Sequence, residues 1–336
     1  MRRLRVGVVG LGKLSQAIHL PTLAAMTDVE VAAAAELDVG RLDAVAAQYG
    51  IAHAHADYRA MLAEVSLDAV FVVATPDATA GIAHDVLEAG LATFIEKPPG
   101  LSAEETARLA ASAERAGAIA MVGVNRRFQP LVQEAKRLVE ASGPIASILA
   151  EFHPYTIDHY RRAGFSEHVL RHFHAAQSIH AVDLLCYLGG EPVAVYGRAA
   201  SVVSDHRDTF GAFVEFANGA TGHVLCNYLS PTRLERAELH GRGAMAILEG
   251  ADDAPGRHAY PFARAVVHRA DGATTLTVTG DDAFDGGYRQ EVRYFLDCVA
   301  TGRRPVRPAA DLTDAWRTMR VIDAVLAGHH GPLAHM

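Results

Sequence analysis

Two patterns of apolar and polar positions divide the chain. Over the first 124 residues short, nearly unbroken apolar runs alternate with amphipathic segments. That is how parallel strands buried on both faces look when helices connect them. Strands are expected at 4–9, 29–35, 68–74, 91–95 and 118–124, with a short piece near 53–55. Helices are expected at 41–49, 58–63, 79–89 and 103–116. Residues 13–26 also read as helix, but Pro21 lacks a backbone donor, so two pieces with a break near Leu20 are expected. Gly90 is placed to end one helix, and Ser102 with Glu105 to start the next through a capping box. This alternation of strand and helix is the signature of a doubly wound parallel sheet, an α/β fold.

The pattern then changes. A helix at 129–140, a long strand at 145–153 and a helix at 175–187 are followed by closely spaced strand candidates. These lie at 193–203, 210–216, 220–228, 237–240, 244–248, 264–268 and 274–278. Asn218-Gly219 between two alternating runs predicts a hairpin, and consecutive hairpins predict an antiparallel sheet. Two helices, 288–300 and 312–326, close the chain. Two domains are therefore expected: 1–124 around a parallel sheet, and 125–336 of α+β type around a large, mostly antiparallel sheet. The last helices are expected to pack back on the first domain.

Composition narrows the partners. Half of the 336 residues are hydrophobic and the formal charge is −8, so no nucleic acid or anionic membrane partner is expected. No uncharged apolar run approaches the roughly 18 residues of a membrane helix. Arg2, Arg3 and Arg5 precede the first strand, but Gly7, Gly10 and Lys13 interrupt the apolar run needed for a signal peptide. Cys186, Cys226 and Cys298 are far apart and show no metal spacing, so buried free thiols in a reducing cytoplasm, and no metal, are expected. His329-His330 read as a solvated tail.

The candidate chemistry begins at RVGVVGLGKLS, residues 5–15. Gly10 permits a sharp turn after the first strand, Gly12 permits close backbone approach, and the following helix start offers free N–H groups to a pyrophosphate. Ser15 stands where a third glycine or alanine is usual for this turn. Glu36 ends the second strand and can accept from adenosine ribose hydroxyls while repelling a 2′-phosphate, which favours NAD over NADP. It can equally be a helix-start acid at a surface turn, and Asp38 is a rival for the ribose role. Thr75-Pro76-Asp77 sits at the carboxyl end of a buried strand, where open parallel sheets bind ligands; an ordinary turn explains it as well. Lys97, after the next strand, either polarises a substrate hydroxyl or pairs with Glu96. The cofactor-binding set expected is Gly10, Gly12, Lys13, Leu14, Glu36, Thr75, Pro76 and Glu96, for NAD with NADP possible.

Taken together, GVVGLGKLS, HLPTLA, ATPD, FIEKPPG and GVNRRFQP resemble the glucose–fructose oxidoreductase, inositol dehydrogenase and rhizopine-catabolism (Gfo/Idh/MocA) superfamily. The resemblance continues to YRQEVRYFLDCVATGRRP near the end. It implies an N-terminal Rossmann domain, a C-terminal open-sheet domain and an NAD(P)-dependent oxidoreductase. The reaction implied interconverts a secondary alcohol and a ketone on a sugar, sugar nucleotide or cyclitol-like substrate. Lys97 and His180 are implied as the catalytic pair and as substrate contacts; Asn125 and Arg126 follow the sixth strand and should line the cleft mouth, Arg126 for a substrate or cofactor contact, and Tyr155 is a substrate-side candidate. Arg127 is expected to pair structurally, and Tyr228 is a further substrate-side candidate. Asp183 fits an H-x-x-D continuation after His180. The family's aspartate four residues before that histidine falls at Ala176, and a histidine common among relatives falls at Ala80. Arg171, His172 and His174 lie near enough in sequence to offer substitutes. A homodimer or homotetramer is implied, with the outer sheet face as interface. The alternative is a dinucleotide-binding sensor whose catalytic set has decayed.

Overall fold

The computed structural model describes residues 2–251, 262–277 and 286–333. The chain forms two compact units, residues 1–124 with 288–316, and residues 125–287 with 317–336. The end of one expected strand, Val278, lies outside the described residues.

In the first unit, β1 (Leu4–Val9), β2 (Val29–Ala35), β3 (His53–His55), β4 (Ala69–Val72), β5 (Ala92–Glu96) and β6 (Ala120–Gly123) form one sheet. Its order is β3-β2-β1-β4-β5-β6 with every pair parallel. The winding reverses between β1 and β4, which opens a crevice at their carboxyl ends. Every residue of β4, β5 and β6 is buried, as their unbroken apolar runs require. On one face Phe71 stacks on Phe94 at 5.0 Å, and Phe295 of the helix Tyr288–Thr301 meets both edge-on. The free edge of β6 is covered where Val122 N–H donates to Ala310 O at 2.9 Å.

Pro21 does not break its helix. The helix runs over residues 13–24, with a π-helical turn at Ser15–His19 leading straight into Leu20–Ala24. The widened turn takes up the irregularity, and Pro21 falls at the start of the narrower part, where a missing N–H is tolerated. The same tolerance corrects the start of the helix Pro76–Glu88, which lies three residues before the expected one. Thr75 is extended as N-cap and Pro76 occupies the first turn.

The second unit holds β7 (Ile145–His153), β8 (Pro192–Ala200), β9 (Thr209–Phe216), β10 (Thr221–Asn227), β11 (Leu234–Gly241), β12 (Ala244–Ala251), β13 (Arg264–Arg269), β14 (Gly272–Thr277) and β15 (His330–Pro332). The sheet order is β14-β13-β12-β11-β7-β10-β9-β8-β15. All pairs are antiparallel except β7 with β10. The hairpin at Asn218-Gly219 joins β9 to β10, with Gly219 at φ +85°. Burial alternates along β7 and β9, so one face is covered and the other is not. A helix at Pro130–Glu140 packs over β11, β12 and β13, and the fully buried helix Ile179–Gly189 over β7 and β10.

Two expectations need correction here. His329-His330 do not form a free tail: His330 is exposed, but it opens β15, which pairs with β8, whose edge leaves backbone groups to be satisfied. β8 stops at Ala200 rather than 203 because Asp208 gathers the N–H groups of Val202, Val203 and Ser204 into a loop. Burial alone would raise the Asp208 pKa, and those three donors hold it below the usual carboxylate value. Cys186, Cys226 and Cys298 are buried free thiols, and burial pushes Cys226 up to about 12. No helix among the described residues is long and apolar enough to cross a membrane.

Candidate dinucleotide site and candidate substrate residues

The glycine turn sits at the switch point of the first sheet. Gly10 has φ +91°, and a Cβ there would lie 2.4 Å from Val73 O. Only glycine fits on both counts. Gly10 N–H donates to Ala35 O and Val73 N–H to Val9 O, so the turn is tied to both neighbouring strands. Gly12 differs: nothing lies within 4 Å of where its Cβ would be. Its bare backbone faces open space, and the first helical turn that follows leaves its N–H groups without intrahelical partners. Lys13 is exposed at the positive end of the helix, and no hydrogen bond or ion pair holds it among the described residues. Leu14 continues the helix beside it, half-buried, and Ser15 is fully buried beneath the turn. Open backbone, a helix N-terminus and a free cation are what a pyrophosphate requires, so these residues fit a dinucleotide.

Glu36 follows β2 and reaches back to the same turn. Its Oε2 accepts from Leu11 N–H at 2.9 Å and its Oε1 from Asp38 N–H at 3.0 Å. The Arg41 guanidinium stands 3.3 Å from Oε2. Burial alone would raise the Glu36 pKa, but the two backbone donors and Arg41 outweigh it and hold the carboxyl below its ordinary value. Asp38, the rival, is the N-cap of the helix Val39–Tyr49 and accepts from Arg41 N–H at 3.0 Å.

Thr75 is exposed and Pro76 half-buried at the start of the helix Pro76–Glu88. Ala80, one turn on, packs against the apolar core beneath the sheet. Glu96 ends β5 and is only 4% exposed; its Oε1 meets His19 Nε2 at 2.9 Å and its Oε2 accepts from Lys97 N–H at 3.0 Å. Lys97 itself is half-buried. The role of His19 was not legible beforehand. The available signal is a histidine within HLPTLA whose spacing puts it on the buried side of its helix, where a polar ring needs a partner.

In the second unit, Asn125, Arg126 and Arg127 lie on one buried 3-10 turn, Asn125–Phe128. Arg126 is clamped onto Glu235 by Nε at 3.2 Å and Nη2 at 2.6 Å, and its Nη1 donates to Asn125 Oδ1 at 2.8 Å. Asn125 Nδ2 in turn donates to Gly286 O at 2.8 Å. Arg233 joins the same carboxylate and lies over the Phe152 ring. Burial pushes Glu235 up, but the Arg126 and Arg233 guanidiniums prevail and bring it down to about 2. Arg127 makes a two-pronged pair with Asp183, both contacts at 2.8 Å, and Thr318 Oγ1 donates to the same carboxylate at 3.2 Å.

The helix carrying His180 opens with a second π-helical turn, His174–Ser178, and not with regular helix from 175. His180 is 6% exposed with its ring 5.6 Å from Phe152. Ala176 is buried in an apolar cluster with Ile157, Val169, Leu170, Phe173 and Tyr228. A carboxylate at that position would be stranded among hydrocarbon. Tyr228 is 2% exposed, and its hydroxyl donates to Phe173 O at 3.0 Å beside Ser178 Oγ. Tyr155 stacks on His159 at 4.3 Å. Arg171 and His172 both lie at the end of the short helix Glu167–Arg171, where Arg171 faces Glu167 at 3.4 Å.

His174 sits between Ser178 Oγ at 2.9 Å and Arg207 O at 2.8 Å. Burial pushes its pKa down from 6.5 to about 4. A depressed folded value means that the unfolded chain takes up the proton first, so stability present above pH 6.5 is lost as pH falls towards 4. Unfolding in urea as a function of pH should show a loss of about 3 kcal/mol across that window from this group. His174→Gln should flatten the slope there; an unchanged slope would exclude His174 as its source.

A parallel sheet wound 3-2-1-4-5-6, with a glycine turn and an acid after β2, defines a dinucleotide-binding α/β protein carrying a second α+β domain. Residues 4–124 match the family model described as an oxidoreductase family with NAD-binding Rossmann fold, and residues 132–247 match the GFO/IDH/MocA C-terminal domain. The chain belongs to the GFO/IDH/MocA oxidoreductase family, and its first unit is an NAD-binding Rossmann domain. It is 29% identical over 330 residues to D-xylose 1-dehydrogenase (NADP(+)) 2 of Haloferax volcanii, covering 95% of each chain. It is 28% identical to scyllo-inositol 2-dehydrogenase (NAD(+)) of Bacillus subtilis, covering 93% of this chain and 90% of the relative. The fold is shared with a dehydrogenase from Chromobacterium violaceum, at TM-score 0.83 and 23% identity over 98% of this chain and 96% of that one. It is shared also with an oxidoreductase from Agrobacterium radiobacter solved with NAD+, L-tartaric acid and magnesium, at TM-score 0.78 and 18% identity over 96% of this chain and 95% of that one.

Proposed function

We propose that this protein is an NAD-dependent dehydrogenase that interconverts a secondary alcohol and a ketone on a sugar-like or cyclitol-like substrate. The observation that carries the reading is the glycine turn with Glu36 fixed across it. Gly12, Lys13 and Leu14 hold the pyrophosphate in this reading, Glu36 the adenosine ribose, and Thr75 and Pro76 line the crevice beyond. When bound, the nicotinamide supplies the hydride acceptor. Lys97 polarises the substrate oxygen and stabilises developing alkoxide, and His180 takes the hydroxyl proton. Asn125 and Tyr155 remain substrate-side candidates, whereas Arg126 serves chiefly to hold Glu235. The relatives' names, which include xylose and inositol dehydrogenases, support this substrate class. NADH absorbance on mixing the protein and NAD+ with a panel of pentoses and inositols tests the reading; turnover of none sinks it.

The cofactor preference has its own test. The Glu36 carboxylate is ionised and pinned by two backbone donors, so it cannot swing away from a 2′-phosphate. NAD+ should bind at least about 10-fold more tightly than NADP+, a difference near 1.4 kcal/mol. Glu36→Gln removes the charge and should shrink that ratio by about 5-fold or more. Equal or tighter binding of NADP+ by the unaltered protein, measured calorimetrically, would overturn the assignment.

The sensor reading is favoured by one observation, the apolar burial of Ala176. Tight NADH binding without turnover of the panel would support it. The proposal extends to a homodimer or homotetramer, because Tyr196 of β8, Leu225 of β10 and Leu234 of β11 are exposed on the second sheet.

A further inference from the structure

The first unit contains a buried polar pair that the proposed chemistry does not use. His19 is fully buried, hemmed by the rings of Phe94 at 5.5 Å and of Phe71 and Tyr288 at 6.2 Å. Its Nδ1 has no hydrogen-bond partner, so Nε2 alone secures it, 2.9 Å from Glu96 Oε1. Burying an imidazole and a carboxylate in an aromatic pocket is costly, and an apolar pair of similar size would pack at least as well there. The pair is therefore informative about what its remaining atom does. That atom, Glu96 Oε2, accepts the backbone N–H of Lys97 at 3.0 Å. The contacts run from His19 through Glu96 to the peptide that aims Lys97. His19 closes the π-helical turn of the helix that begins at the glycine turn, so the run joins the nucleotide-binding turn to Lys97.

We propose that His19 is a positioning residue for Lys97, acting through Glu96. Loss of the imidazole N–H frees the Glu96 carboxylate to rotate, and with it goes the charge-assisted bond that orients the Lys97 peptide. The proposal rests on reading Lys97 as the group that polarises the substrate oxygen.

The test compares full-length His19→Leu, His19→Gln and Lys97→Ala proteins. Leucine keeps apolar bulk without a donor, and glutamine restores an N–H that can reach Glu96. Turnover is followed with NAD+ and D-xylose or myo-inositol, whichever the unaltered protein oxidises. Hydrogen exchange at the Lys97 amide is followed without any ligand. His19→Leu should lower kcat by about 10–100-fold, the scale of an ångström misplacement, with the KM for NAD+ within about 3-fold. Its Lys97 amide should exchange at least about 10-fold faster, and His19→Gln should stay within about 3-fold in both measurements. Unchanged turnover or unchanged amide exchange in His19→Leu overturns the proposal, as does a glutamine variant as impaired as leucine. Full activity in Lys97→Ala overturns the role of Lys97 itself, and with it any catalytic consequence of His19. If no substrate is turned over, the dehydrogenase reading fails separately, and the exchange rates alone decide whether His19 holds the Lys97 peptide.

Discussion

Lys97→Ala should lower kcat for alcohol oxidation by about 10²–10⁴-fold while the Kd for NAD+ changes by less than about 3-fold. The lysine follows a fully buried strand at the carboxyl edge of a parallel sheet, where ligands meet such folds. The residue is half-buried, so less water competes with a substrate oxygen for its ammonium. Its backbone is held by the carboxylate one residue earlier, not by solvent. The loss belongs in kcat because the interaction strengthens as negative charge develops on the oxygen. His180→Ala should fall in the same range. Turnover by Lys97→Ala within about 3-fold of the unaltered protein would remove the lysine from the mechanism.

Asp183→Ala should destabilise the protein by about 3–5 kcal/mol. Arg127 is 1% exposed and Asp183 2% exposed, so the two-pronged pair is shut away from solvent. Thr318 would lose its acceptor at the same time. The companion variant Arg127→Met/Asp183→Leu should recover most of the loss, since the cost lies in the uncompensated guanidinium. Urea unfolding followed by two probes reads both values. A loss below about 1 kcal/mol in Asp183→Ala would show that the buried charge finds another partner. The result also separates two roles for the H-x-x-D continuation: Asp183 works on stability through Arg127.

The parallel sheet was legible because each of its strands is announced locally. DAVFVVA is apolar without interruption since β4 is covered on both faces, and Gly10 and Gly90 mark turns that only their own backbone geometry demands. Glu36 was legible as an acid after β2, but its attachment to Leu11 N–H was not, because it joins residues 25 apart in sequence. The same holds for His19 with Glu96 and Arg126 with Glu235, which meet across 77 and 109 residues. Type and spacing identify a group that needs a partner, and the fold chooses the partner. The π-helical turns at Ser15–His19 and His174–Ser178 escaped for another reason. One widened turn barely alters the apolar period, yet it changes which side chains follow one another along a face. On a regular helix Ala176 and His180, four residues apart, would share a face; the π-helical turn breaks that register, and Ala176 belongs to the hydrocarbon cluster instead.

The place of β7 in the second sheet governs the order in which the chain can be completed. It is made early, at residues 145–153, and lies between β10 and β11, which are made at 221–227 and 234–241. On an emerging polypeptide it must wait, both edges bare, for some seventy residues of translation before its first neighbour exists. At about 5–20 residues per second that is several seconds of exposure to any other extended segment. Its two later neighbours already come with hairpin mates of their own, β9 and β12, so assembly is a matter of two preformed ribbons closing on a solitary strand. Slow synthesis through 154–220 should therefore favour aggregation of nascent chains, and the polar Ser147, Glu151 and His153 on alternate positions of β7 are its safeguard in that interval.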